Sequence, residues 1–165
     1  MTVTGITKDP QSQRMAIEAR FDAPPARVWQ VWADPRQLER WWGPPTYPAT
    51  VIDHDLSPGG AVTYVMVGPD GDKHAGWWRI TAANPPHTLE FEDGFADESG
   101  TPNPDMPVTV VRVTLTDHPD GGTGMTIESR FPSTEAMQQM VEMGMEEGMT
   151  AAMGQIDGLL AHDVR

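Results

Sequence analysis

Few side chains in this sequence could do chemistry, and their spacing narrows the field further. The triplet Asp53-His54-Asp55 has the residue types of a metal site. It lies in ATVIDHDL, which reads as a β-strand. A strand turns successive side chains to opposite faces, so the two aspartates share one face and His54 points to the other, with Ile52 and Leu56. Three ligands cannot converge from that geometry, and no metal is expected. His54 is then the one histidine expected inside, as a hydrogen-bonded core residue or as a polar anchor or acid/base group in a cavity. His74, His87, His118 and His162 fall at strand edges, turns or the tail, without metal-ligand spacing. The chain has no cysteine, which excludes thiol chemistry and Cys-based metal sites. The turn GPDGDK lacks the ligand spacing of a calcium loop. There is no nucleophile elbow, phosphate loop or dinucleotide fingerprint, and no cofactor is expected.

The apolar residues say more. In LERWWGPP, Trp41 and Trp42 are followed at once by Gly43, Pro44 and Pro45, which end a helix because proline lacks the N–H. One indole should face the core beside Leu38 and the other should pack under the Gly-Pro-Pro corner. Trp42, four residues after Leu38, is expected to be the more buried. Trp77 and Trp78 sit in a strand and point to opposite faces. Trp78 goes inward with Gly76 and Ile80, and Trp77 outward with Arg79. Tyr64 and Met66 share one face of their strand, as do Leu89 and Phe91, while Glu90, Glu92 and Glu128 alternate outward.

Near the C-terminus, Val141, Met145, Met149 and Met153 recur every four residues, beside a small-residue stripe of Gly144, Gly148 and Ala152. Glycine costs about 1 kcal/mol per helical position relative to alanine. Two on one face therefore need either close packing against a sheet or a cavity, and both readings stay open. Methionine suits an adaptable binding surface.

The elements that must position these residues follow from the period of the apolar pattern. RMAIEARFDA reads as a strand, and PPARVWQVWA as a short helix with Pro25 in its first turn. Asp34-Pro35 caps a second short helix. Six further strands follow, separated by Gly/Pro/Asp/Asn turns. ADESGTPNPDMP is a longer acidic loop. One long helix opens at Ser133 or Thr134 and runs to the end. The fold class is α+β: a seven-stranded antiparallel sheet curved around a long C-terminal helix, with two short helices after strand 1. Residues 1–165 read as one domain, with 1–12 flexible.

Four stretches carry a family resemblance: PPARVWQVWADPRQLERWWGP, DLSPGGAVTYVMVGPDG, GWWRITAANPPHTLEF and GMEEGM. In this order they resemble the activator-of-Hsp90-ATPase-homologue family, within the START-like (Bet v 1-like, SRPBCC) helix-grip superfamily. The resemblance implies a cavity between sheet and helix that holds a lipid, polyketide or other apolar molecule. The chain departs from relatives at Ser57, where they often carry arginine, and at Met145 and Met149, where they often carry tryptophan. The first departure weakens any basic role there, and the second suggests a roomier or softer wall.

The expected function is binding of a small apolar or aromatic ligand. The expected lining is Trp42, His54, Tyr64, Met66, Trp78, Phe91, Met145, Gly148, Met149 and Ala152. Two alternatives stand beside it. One is a cyclase- or hydrolase-type enzyme using His54 with Gln155 or Tyr64. The other is a chaperone partner, a weaker case for a lone domain. The net charge of −13 argues against nucleic acid and anionic membranes. No segment approaches the ~20 apolar residues of a membrane span. The opening MTVTGITKDPQSQR lacks the apolar run of a secretory leader, so a cytoplasmic protein is expected. The sequence leaves a homodimer open.

Overall fold

Among the described residues the sheet has eight strands rather than the expected seven. The structure, a computed structural model, describes residues 3–161. Its elements are β1 (Val3–Asp9), β2 (Arg14–Phe21), α1 (Pro25–Ala33), α2 (Pro35–Trp41), β3 (Ala49–His54), β4 (Ala61–Val67), β5 (Lys73–Asn84), β6 (Thr88–Ala96), β7 (Thr109–Asp117), β8 (Thr123–Arg130), α3 (Thr134–Glu142), α4 (Met145–Met153) and α5 (Ile156–Ala161). The strands form one antiparallel sheet in the order β1-β2-β8-β7-β6-β5-β4-β3. Helices cover its inner face, which is the expected helix-grip architecture.

The extra strand, β1, lies within the stretch read as flexible. It is an edge strand, paired with β2 from Val3↔Ala19 to Asp9↔Arg14. Its own apolar content is small, so its order comes from backbone pairing with β2 rather than from burial. The expected His162 tail lies outside the described residues. No described helix is long and apolar enough to cross a membrane.

The C-terminal helix is segmented rather than continuous. Ser133 caps α3 by accepting a hydrogen bond from the Ala136 N–H at 3.0 Å. The chain then leaves helical geometry at Gly144, whose φ of +88° is left-handed. A second, milder break at Gly154 keeps right-handed backbone angles. Only glycine takes the left-handed conformation without a Cβ penalty. Gly144→Ala is therefore expected to cost about 1–2 kcal/mol, read as a lower denaturation midpoint.

The core is built around indoles. Trp32, Trp41 and Trp78 are fully buried. Trp32 and Trp41 meet edge to face at 4.8 Å, and Trp78 stacks on Phe91 at 4.1 Å. Each such ring removes roughly 150–250 Å² from water. Both tryptophans of the adjacent pair are buried, but the expected order is reversed: Trp41 is 0 % exposed and Trp42 5 %. The reason is that α2 ends at Trp41. Trp41 inserts against α1, where its indole N–H donates to the Val31 carbonyl at 2.8 Å. Trp42, the cap residue, turns instead toward the sheet and meets Trp78 at 4.8 Å and Tyr64 at 6.0 Å. Gly43 is required by the corner that follows. A Cβ there would lie 2.1 Å from the Tyr47 carbonyl oxygen.

Candidate functional site

Antiparallel register sets side chains in rows across the concave face. Tyr64 of β4 opposes Gly76 of β5, which opposes Phe95 of β6. The neighbouring row is Val62, Trp78 and Asp93. Gly76 lets Tyr64 lie flat over the sheet, since a Cβ at 76 would stand 2.3 Å from the phenolic oxygen. The Tyr64 ring thus spans β5, and its hydroxyl reaches toward the Asp93 carboxylate, 3.5 Å away.

Above this floor lies a cleft of about 260 Å³. Trp42, Tyr64, Met66 and Phe95 form its sheet side, and Met140, Met143, Gly144, Met145, Gly148 and Met149 its helical side. The bend at Gly144 places methionines of both α3 and α4 over the same space. Met143 is 55 % exposed and stands at the solvent edge. A Cβ added at Gly148 would meet nothing within 4 Å, so this glycine faces open space and is not a close-packing device. Two larger clefts, of about 460 and 430 Å³, lie elsewhere. The first is edged by Arg20, Asp22 and Asp157, and the second runs between Lys8 and α3. Neither lies between the concave sheet and α4.

The cleft thus gathers six of the ten residues expected to line a cavity: Trp42, Tyr64, Met66, Met145, Gly148 and Met149. Trp78, Phe91 and Ala152 are inward but packed into the core, at 0 %, 0 % and 1 % exposure. His54 is half-buried and away from the cleft. A carbonyl can only accept, so its Nε2–H donates to the Trp32 carbonyl oxygen at 2.9 Å. Ile52 does not share its face, being 64 % exposed. The register shift between Val51 and Asp53 breaks the alternation that the sequence suggested. Asp53 pairs with Thr63, and Asp55 with Ser57, so the three members of the triplet serve separate partners. Among the described residues no group of three His, Asp or Glu side chains is placed to hold a metal. Gln155 is also occupied. Its side-chain amide donates to the carbonyls of Gly43 at 2.7 Å and Trp41 at 3.3 Å, which α2 leaves unpaired at its end.

The cleft also holds Phe95, Met140 and Met143, which the sequence reading did not place there, and Gly144, which it placed only in the small-residue stripe; above all it did not single out Asp93, which stands behind Tyr64. The period-two rule that set Leu89 and Phe91 inward also carries Asp93 and Phe95 to that face. Its neighbour Glu92 turns outward to Arg79 at 2.6 Å. Burial pushes the Asp93 carboxyl up to about 7, against the opposing pull of the Tyr64 hydrogen bond. Burial, and then the Asp93 charge, raises the Tyr64 phenol well above its ordinary range. The indole N–H groups of Trp42 and Trp78 oppose that rise, yet neither completes a hydrogen bond. Tyr64 therefore stays protonated near neutral pH, while Asp93 exchanges its proton there.

The fold recurs in solved structures. Protein Ms6760 from Mycobacterium smegmatis is 52 % identical, with 99 % of each chain covered and a TM-score of 0.90. A protein from Arthrobacter aurescens is also 52 % identical, covering 97 % of this chain and 92 % of that one at a TM-score of 0.92. One from Rhodobacter sphaeroides is 25 % identical over 95 % and 97 %, at a TM-score of 0.81. Comparison with functionally curated proteins gives no match. The family model for activator of Hsp90 ATPase homolog 1-like proteins matches residues 22–161. These residues run from the end of β2 to the end of α5 and include every lining residue of the cleft, and the chain belongs to that family.

Proposed function

We propose that the protein binds a small apolar or aromatic molecule in the cleft between the concave sheet and α4. The observation that carries this reading is Gly148. It stands on the helix face over Trp42, Tyr64 and Phe95, and open space lies where its side chain would be. A glycine kept inside a helix at a cost of about 1 kcal/mol, with nothing to press against, leaves volume for another molecule. Five methionines around that space supply a wall that adapts to irregular shapes. A small molecule also suits a concave cleft of this size better than a protein such as an Hsp90 homologue does.

The test is Gly148→Leu. Filling the space should leave the melting temperature unchanged or raised, since helix propensity improves by about 1 kcal/mol. It should also abolish binding of the neutral dye N-phenyl-1-naphthylamine. A folded variant that binds the dye at full strength places the pocket elsewhere. A variant destabilised by overpacking, about 1–3 kcal/mol, contradicts the open space.

The Tyr64–Asp93 pair favours one second reading, acid/base catalysis of the cyclase or hydrolase kind. Tyr64 lines the sheet side of the cleft, and Asp93 stands behind it with its carboxylate 3.5 Å from the phenolic oxygen. Turnover of a bound ligand that is lost in Asp93→Asn, with ligand affinity retained, would establish it.

A further inference from the structure

We propose that the ligand of this cleft is a neutral molecule with an apolar, two-ring-sized body and a single hydroxyl group, the hydroxyl lying against Tyr64, Asp93 and the Trp42 indole. This rests on the small-molecule reading above and narrows it to a chemical class.

Among the lining side chains, only Tyr64 and Trp42 carry an oxygen or a nitrogen, and none is charged. Both polar atoms are poorly served within the protein. The indole N–H groups of Trp42 and Trp78 are both turned toward the Tyr64 hydroxyl without completing a hydrogen bond, and of the two residues Trp42 lines the cleft. The Tyr64 hydroxyl is 3.5 Å from Asp93, well beyond the roughly 2.7–2.8 Å usual for O–H···O. Asp93 makes no other side-chain hydrogen bond among the described residues. Buried polar groups are normally satisfied, so under-served donors on the floor of an open cleft, with an under-served carboxylate directly behind Tyr64, call for a partner that both accepts and donates.

A hydroxyl does both. It can accept from the Trp42 N–H or the Tyr64 O–H and donate to Asp93. A carbonyl can only accept and leaves the ionised form of Asp93, which prevails above about pH 7, unserved. An ammonium can only donate and leaves the indole unserved. A carboxylate would bring a second negative charge beside Asp93 in a protein of net charge −13, with no cation in the lining. The methionine-rich walls and the cleft volume suit a body of about two fused rings.

Three matched probes decide the matter: 2-naphthol, 2-methylnaphthalene and 2-naphthoate, titrated into the full chain at pH 8, where Asp93 is mostly ionised. Apolar burial alone favours methylnaphthalene, because a hydroxyl costs free energy to leave water. The expected result is the reverse, with 2-naphthol binding about tenfold more tightly than 2-methylnaphthalene and naphthoate the weakest. The preference should vanish in Tyr64→Phe and shrink in Asp93→Asn, both checked for folding by melting. Independently of these variants, naphthol should move the Trp42 indole N–H resonance of the wild-type protein downfield, as hydrogen bonding does, relative to its position with bound methylnaphthalene, which contributes a ring-current shift alone. Equal binding of naphthol and methylnaphthalene overturns this proposal alone and leaves the apolar cleft standing. The same holds for a preference unchanged in both variants, or for naphthoate binding best. Failure of all three probes to bind overturns this proposal and the small-molecule reading together.

Discussion

Trp41→Ala is expected to lower stability by about 3–5 kcal/mol, the range for removing a fully buried indole. The ring is 0 % exposed and packs edge to face on both Trp32, at 4.8 Å, and Trp42, at 5.5 Å. Its N–H is the partner of the Val31 carbonyl, which would be left buried and unpaired. Trp42→Ala should cost distinctly less. One side of that ring borders the open cleft, and its N–H has no protein partner to lose. Equilibrium denaturation of the two variants side by side checks the ranking. Near-wild-type stability for Trp41→Ala would contradict the packing described above.

The second large effect is a dependence of stability on pH that belongs to Asp93. Its folded value of about 7 lies above the ordinary carboxylate value of 3.8. The folded protein therefore holds a proton that the unfolded chain has released between these limits. The stabilisation is fully present below about pH 4 and is lost as pH rises through about 7. At about 1.4 kcal/mol per pKa unit, the loss amounts to a few kcal/mol. Asp93→Asn should abolish this slope and make the variant more stable than the wild type at pH 8, because an amide needs no ionisation. Asp9, Asp55, Asp72 and Asp97 are held below their ordinary values by serine, tyrosine and backbone donors, so their stabilisation is lost only on acidification below about pH 4. Asp157 is raised by burial in the same sense as Asp93, and the difference between wild type and Asp93→Asn cancels it. Identical pH profiles for the two proteins would show that Asp93 is solvated rather than buried behind Tyr64.

Much of the architecture was legible in sequence because apolar period and turn chemistry are local signals. Asp34 caps α2 as expected, donated to by the Arg36 N–H at 2.9 Å, and Ser133 caps α3. What escaped depends on long-range pairing. Strand β1 has only Val3 and Ile6 as large apolar residues, and it is held by an edge of β2 that the local pattern does not display. The side on which Ile52 lies depends on a register shift against β4, a property of two strands at once. The single long helix was expected because its apolar spacing continues through Gly144. Only the left-handed φ of that residue brings Met140 and Met143 over the cleft beside Met145 and Met149. Asp93 is different: the alternation that places it inward was available in HTLEFEDGF. A carboxylate on an otherwise apolar strand face is the signal that the sequence carries there.

Met145 and Met149 are lining residues of the cleft. Methionine gives flexibility on the helical side, where Gly148 leaves space. The sheet side is by contrast rigid, with Tyr64 seated over Gly76 and Trp42 wedged against Trp78 at 4.8 Å. A stiff floor with one polar end and a soft roof is suited to holding ligands of related shape and a shared polar group.

The most direct measurement is of intermolecular nuclear Overhauser effects between the ring protons of bound N-phenyl-1-naphthylamine and the protein. Cross-peaks to the methyl groups of Met145 and Met149 and to the indole of Trp42, all lost in Gly148→Leu, are the predicted result. Cross-peaks confined to Met137 and Val141 in the cleft beside Lys8, or persisting unchanged in Gly148→Leu, would contradict a binding site between the sheet and α4.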